Sequence, residues 1–103
     1  MKITPIKMGG KTRNIKFGIS TVAALEKELG RPISTLDDKT LISELILIMF
    51  YGLKWEDKEL KLDEVGDLMD SAIEEHGDFA TVSKMLVETL VSSFGKKAIP
   101  SKK

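Results

Sequence analysis

Residues 44–70 read ELILIMFYGLKWEDKELKLDEVGDLMD, and they join the most apolar part of this chain to its most acidic part. The apolar part runs from Thr40 to about Lys54, and only Ser43 and Glu44 interrupt the ten residues after Thr40. A helix that spans a bilayer needs about twenty residues, so this segment is too short to cross a membrane. Its length favours a helix over a strand, and its apolar character on all sides predicts a central helix enclosed by other elements.

The central helix is therefore predicted at about 40–54, with Leu45 and Ile46 in the core. The acidic part then predicts a charged turn and an amphipathic helix at about 63–76. The buried face of that helix is marked by apolar residues at helical spacing, namely Val65, Leu68, Met69, Ala72 and Ile73. The acidic residues of its first turn suit the positive end of the helix dipole, and Gly77 follows as its stop.

Before the central helix, a shorter helix is predicted at about 21–29. Its apolar residues are three or four positions apart: Val22, Leu25 and Leu29. Ser20 is placed to cap its start, and Gly30 follows where a left-handed cap is usual. The segment ISTL at 33–36 predicts a single turn with its Ile and Leu pointing inward.

The last predicted helix covers about 79–94 and begins after the capping residue Asp78. It carries two apolar stripes. The first consists of Phe79, Val82, Leu86 and Leu90, and the second consists of Val87, Val91 and Phe94. Two stripes predict two neighbours, of which only one has to belong to the same chain.

At the N-terminus, two short runs around Gly9-Gly10 predict a β-hairpin over residues 3–17, because glycine reaches the positive φ values of tight hairpin turns. Pro5 cannot donate to a ladder, so its strand is an edge. The predicted fold class is α+β and predominantly helical, with this hairpin and about four helices around one core. We expect a single domain at 1–95 and a disordered basic tail at 96–103.

Charge is segregated along the chain, although the net charge is zero. Residues 1–35 carry seven Lys or Arg against two Glu, whereas residues 56–78 carry ten Asp or Glu against two Lys. Such blocks are solvated faces or complementary contacts with a partner or a second copy. The chain has no cysteine, and no long apolar run follows its first lysines, so we expect a cytoplasmic location rather than a secreted or membrane protein.

The residues give little support for catalysis. His76 is the only histidine, and its place at a helix end before Gly77 is typical of an exposed cap residue. The sequence contains no phosphate-binding glycine loop, no nucleophile elbow and no zinc-protease motif. We expect no enzyme activity, no cofactor and no metal site. Nucleic-acid binding is also disfavoured, because aromatic residues do not alternate with the basic ones.

What remains is binding through apolar surface, since the central helix and the two-striped last helix supply more apolar side chains than a small fold easily buries. Trp55 is either a lid on the core or an anchor at a protein interface, where tryptophan is enriched. The candidate contacts with a client protein or a second copy are Trp55, Val87, Val91 and Phe94, with Met49 and Met85 as adaptable packing residues. The alternative for each of these residues is that its side chain packs in the core and contacts no partner.

A hairpin, the segment FGISTVAALEKELGRPIS, and the stretch from the apolar helix to LDEVGDLMD follow one another in an order that resembles the tail assembly chaperones of long-tailed bacteriophages and prophages. The similarity covers about residues 10–95. The matching residues are Phe17, Leu25, Glu26, Leu29, Gly30, Tyr51, Gly52, Leu53, Leu60, Leu62, Glu64, Val65, Gly66 and Leu68. Lys61 departs from the pattern, because a capping Ser or Thr is expected there.

This resemblance implies a non-enzymatic protein of the host cytoplasm that binds the tape measure protein, keeps it soluble, helps tail tube protein assemble around it, and is absent from the mature virion. One alternative is a structural component of the tail or of the head-to-tail connector. Another alternative is a small DNA-binding host regulator that uses the basic hairpin.

Overall fold

A computed structural model describes residues 3–37 and 39–93 of the chain. The elements in order are strand β1 (Ile3–Met8), strand β2 (Lys11–Lys16), helix α1 (Ile19–Leu29), a 3₁₀ turn (Ile33–Thr35), helix α2 (Ile42–Leu53), helix α3 (Leu62–His76) and helix α4 (Phe79–Ser92). The predicted fold class is confirmed: a two-stranded antiparallel hairpin precedes four α-helices. The predicted tail at 96–103 and the second-stripe residue Phe94 lie outside the described residues.

The hairpin forms where the glycine pair predicts it. Gly9 and Gly10 have φ values of 66° and 74°, a conformation that costs other residues steric strain. The turn pairs Met8 with Lys11, and the register continues to Ile3 and Lys16. One face of this small sheet is buried in the core through Ile6, Met8 and Ile15.

Helix α2 is the central element, as predicted. It packs against α1, α3, α4 and strand β2. Its inward side is fully buried and consists of Leu45, Ile48, Met49, Gly52 and Leu53. Its opposite side, with Ile46, Leu47, Phe50 and Tyr51, is only partly buried. The prediction that Ile46 lies in the core is therefore only partly right. Ile46 packs against the core but lies at the edge of the buried face.

The start of α2 differs from the prediction. Leu41 precedes the helix and Ile42 begins it, and their exposed fractions are 62% and 59%. The backbone N–H of Leu41 donates to Glu44 Oε1 at 2.9 Å, so the helix is capped by its own third residue. Helix α3 begins in the same way, with the N–H of Lys61 donating to Glu64 Oε1 at 2.9 Å. Lys61 therefore replaces the expected Ser or Thr without loss of this half of the capping box.

The predicted cap of α1 is wrong. Gly18, not Ser20, is the N-cap residue, and the helix begins at Ile19. The reason is that Phe17, directly before Gly18, is fully buried in the core. The chain leaves the core at this residue and enters the helix without an intervening loop. Gly30 ends the helix in the left-handed conformation with φ 77°, as predicted.

A polar network joins α1 to α2 across the 3₁₀ turn. The carboxylate of Glu26 accepts the backbone N–H of Ile33 at 2.9 Å. Arg31 donates through Nε and Nη2 to both oxygens of Glu44, at 3.1 and 2.8 Å. Ile33 and Leu36 are buried, as the single-turn prediction required. Glu26 and Arg31, on either side of Gly30, thus hold the 3₁₀ turn between the two helices.

Candidate functional site

Helix α4 borders an open groove of about 490 Å³. The groove is lined by Phe79, Ala80, Ser83, Lys84, Val87 and Glu88 of α4, and by Asp37, which follows the 3₁₀ turn. We call this surface the α4 groove. Its α4 residues recur every three to four positions, so they form one continuous strip along the helix. Asp78 fixes the start of that strip, because its carboxylate accepts the N–H of Thr81 at 2.9 Å and caps the helix as predicted.

The α4 groove is apolar inside and charged at its rim. Phe79 and Val87 are partly buried, so their side chains form part of its floor, whereas Asp37, Lys84 and Glu88 are exposed. The other side of α4 is buried in the core through Val82, Leu86, Thr89 and Leu90. An apolar strip flanked by charges of both signs is suited to an amphipathic partner rather than to a small charged substrate.

Among the residues predicted to bind a partner, Val87 lines the α4 groove. Val91 is one helical turn further along the same side and is also partly buried. Met85 is partly buried but lies on the opposite flank of α4, since it is two positions from Val87. The structure therefore brings Val87 and Val91 into one strip and separates Met85 from them.

Met49 requires a correction. It is fully buried on the inward side of α2, with an exposed fraction of 0%, so it belongs to the core and cannot contact a partner in this fold. Periodicity did not reveal this, because the residues around Met49 are apolar on every side.

Trp55 is partly buried against the outer edge of the hairpin. Its Nε1–H donates to the backbone oxygen of Asn14 at 3.0 Å. Lys16 Nζ lies 4.3 Å from the centre of the indole ring, within the range of a cation–π contact. Both the polar atom and the ring of Trp55 are thus engaged within the chain.

The segment after Trp55 brings the acidic and basic blocks together. Glu56 Oε1 and Oε2 accept the backbone N–H and the side-chain amide of Asn14 at 3.2 and 3.0 Å. Arg13 Nη1 lies 3.7 Å from Asp57 Oδ2. Part of the segregated charge is therefore complementary within one chain, an arrangement that the sequence blocks alone did not predict.

These contacts predict how Glu56 responds to acid. The side-chain amide of Asn14, and then its backbone N–H, hold the pKa of Glu56 below its usual 4.5. Because the pKa is lowered on folding, the stabilisation is present above the unfolded pKa and is lost as the pH falls through the lower folded value. An NMR titration of the Glu56 carboxyl group should show a lowered midpoint that rises in Asn14→Ala. Equal midpoints in the two proteins would contradict this assignment.

Sequence reasoning missed several exposed aliphatic residues. Ile19 is 71% exposed, and it, Ile42 and Leu62 are the first residues of α1, α2 and α3. Phe79, which belongs to the first predicted stripe of α4, packs against the core and also lines the α4 groove. His76 is partly buried, and its Nε2 lies 3.0 Å from the backbone oxygen of Lys7, so it joins α3 to β1. For Ile19, Ile42 and Leu62, the one available sequence signal is their position near the start of a predicted helix.

Comparisons with protein-family models, with curated proteins and with solved structures find no match for the chain. Over residues 3–37 and 39–93, no helix has both the length and the apolar character that a membrane span requires. Within the same ranges, no three His, Asp or Glu side chains are grouped in a way that would hold a metal ion.

Proposed function

We propose that this chain is a non-enzymatic tail assembly chaperone, which binds the tape measure protein of a long-tailed phage in the host cytoplasm, keeps it soluble and promotes assembly of tail tube protein around it. The family resemblance is the source of the proposal. The observation that carries it furthest is the α4 groove, an open apolar strip on a helix whose opposite side is already buried.

The shape of the α4 groove supports a helical client. Phe79, Ser83 and Val87 follow one another at one residue per turn, and Val91 continues the line. An amphipathic helix binds such a surface through its own residues at i, i+3, i+4 and i+7. Lys84 and Glu88 at the rim can then orient the client through charge, which affects specificity more than affinity.

Two substitutions test the α4 groove directly. Ala80→Asp and Val87→Asp each place a carboxylate in the apolar strip, where a bound client would have to bury it. We expect each to weaken binding of an amphipathic tape measure fragment by more than about tenfold, that is, about 1.4 kcal/mol. Titration calorimetry with the purified fragment measures this change.

Ala80→Asp is the more informative variant, because Ala80 is exposed and an acid in the first turn of a helix is favourable. Its melting temperature should therefore stay close to that of the unmodified chain. Ala24→Asp on the exposed side of α1 is the matched control, since it adds the same charge elsewhere and should leave binding unchanged. Equal losses in the control and in Ala80→Asp would refute the α4 groove as the client site.

The alternative functions make different predictions. A structural tail or connector component would be found by mass spectrometry in purified virions, whereas a chaperone would be missing from them. A DNA-binding regulator would show binding that falls steeply with salt. The hairpin is poorly arranged for that role, because Arg13 already contacts Asp57 and Lys16 lies over Trp55.

A further inference from the structure

Within residues 3–37 and 39–93 the hairpin sheet has two strands, so β1 and β2 each have an outer edge whose backbone groups need partners. In a hairpin closed by a two-residue turn, the flanking residues Met8 and Lys11 are a hydrogen-bonded pair, and the pair type alternates from there. Asn14, which is opposite Pro5, therefore belongs to a non-hydrogen-bonded pair. Its N–H and C=O point away from β1, toward the outer edge of the sheet.

Both of these groups are occupied by the segment that follows α2. Glu56 Oε1 accepts the N–H of Asn14 at 3.2 Å, and Trp55 Nε1–H donates to its C=O at 3.0 Å. A neighbouring β-strand would offer the same pair, one acceptor and one donor, at this position. Trp55 and Glu56 thus take the place of a third strand.

The other outer edge of the sheet, that of β1, has two features that hinder strand addition. Pro5 has no N–H to offer there. The C=O of Lys7, which is also in a non-hydrogen-bonded pair, lies 3.0 Å from His76 Nε2. The β1 edge is therefore a poor template for strand addition, and the edge of β2 is the one that depends on a cover.

We propose that Trp55 and Glu56 act as an edge cap, which prevents β2 from pairing with β2 of a second copy of this chain. The second copy is the occupant because the outer edge of β1 lacks a donor at Pro5, whereas two β2 edges complement each other. In an antiparallel pair centred on Asn14, Thr12 is opposite Lys16 of the second copy, so no like charges face each other. The contact is symmetric, as in most homodimers. The proposed edge cap does not depend on the α4 groove or on the proposed client.

The double variant Trp55→Phe with Glu56→Ala tests the edge cap. Phenylalanine keeps a ring beneath Lys16 but has no N–H, and alanine removes the carboxylate. We expect sedimentation velocity to show a species of twice the mass of the unmodified chain, increasing with protein concentration. At the lowest concentration the amide of Asn14 should exchange with solvent roughly tenfold faster, because it has lost a charge-assisted hydrogen bond.

Two further variants show whether the new contact uses the β2 edge. Glu59→Ala removes an exposed acid from the same turn and should sediment like the unmodified chain. Adding Asn14→Pro to the double variant removes the N–H at the outer edge of β2. Proline is a residue that edge strands accept. This triple variant should lose the species of doubled mass.

A folded double variant whose mass stays that of the unmodified chain at every concentration would overturn the proposal, whether or not the Asn14 amide exchanges faster. Persistence of the doubled mass in the triple variant would also overturn it, because the new contact would then lie elsewhere. If circular dichroism shows that the double variant is unfolded, the single variant Glu56→Ala provides the test. In that protein, an Asn14 amide that exchanges as slowly as in the unmodified chain would refute the cap.

Discussion

Replacing Gly52 with alanine is expected to destabilise the fold by roughly 2 kcal/mol, although the same change stabilises most helices. A Cβ atom at position 52 would lie 2.6 Å from Ile15 Cγ2 and 2.8 Å from Phe17 Cζ. Both neighbours are fully buried, one is branched at Cβ and the other is a rigid ring. Neither can move aside without disturbing the contact between α2 and β2, so Gly52 sets how closely these elements approach.

Gly66→Ala provides the matched control. Gly66 is inside α3, and among the described residues no atom beyond its chain neighbours and the adjacent turns of its own helix lies within 4 Å of the position that its Cβ would occupy. Alanine there should raise stability by up to about 1 kcal/mol, because it favours the helical conformation. Urea unfolding of the two variants measures both changes. A Gly52→Ala protein as stable as Gly66→Ala would show that the close approach of α2 to β2 is not a constraint.

Leu45→Ala is expected to cost about 2–5 kcal/mol, because it leaves a cavity in a core that cannot fully close around it. Leu45 is 0% exposed on the inward side of α2. For a domain of this size, each kcal/mol lowers the melting temperature by roughly 4–8 °C. Thermal unfolding followed by circular dichroism should therefore show a large decrease.

Ile46→Ala is the comparison that uses the next residue of the same helix. Ile46 is only partly buried, so its truncation should cost less than about 2 kcal/mol. Equal decreases in the melting temperature for Leu45→Ala and Ile46→Ala would contradict the orientation of α2.

The parts of the fold that could be predicted from sequence are those determined by local chemistry. Gly9 and Gly10 form the turn because they tolerate positive φ, and Asp78 caps α4 because its carboxylate reaches a nearby backbone N–H. The buried stripe of α4 follows from its 3.6-residue period. These signals depend on residues only a few positions apart, so no tertiary information was needed.

The apolar run of α2 could not be divided into inner and outer faces from sequence. Leu41 and Ile42 look like core residues in composition, but they lie at the exposed start of the helix. Met49 was predicted to help contact a partner and is fully buried. A segment without polar residues carries no period, so the packing of its neighbours decides which side is inward.

Long-range contacts decided the position of Trp55. Its hydrogen-bond partner Asn14 is 41 residues earlier, and no local pattern connects the two. The α4 groove was predicted only in part, through Val87 and its stripe. Asp37 also lines the α4 groove, although it follows the 3₁₀ turn and is far from α4 in the sequence.

We propose that apolar surface on this small fold shields another chain, and co-expression with a tape measure protein, the proposed client, tests this most directly. The measured quantity is the fraction of tape measure protein that stays in the soluble fraction. We predict that it is high with the unmodified chain and with Ala24→Asp, and low with Ala80→Asp or without the chain. A soluble fraction that is the same with and without the chain would contradict the account.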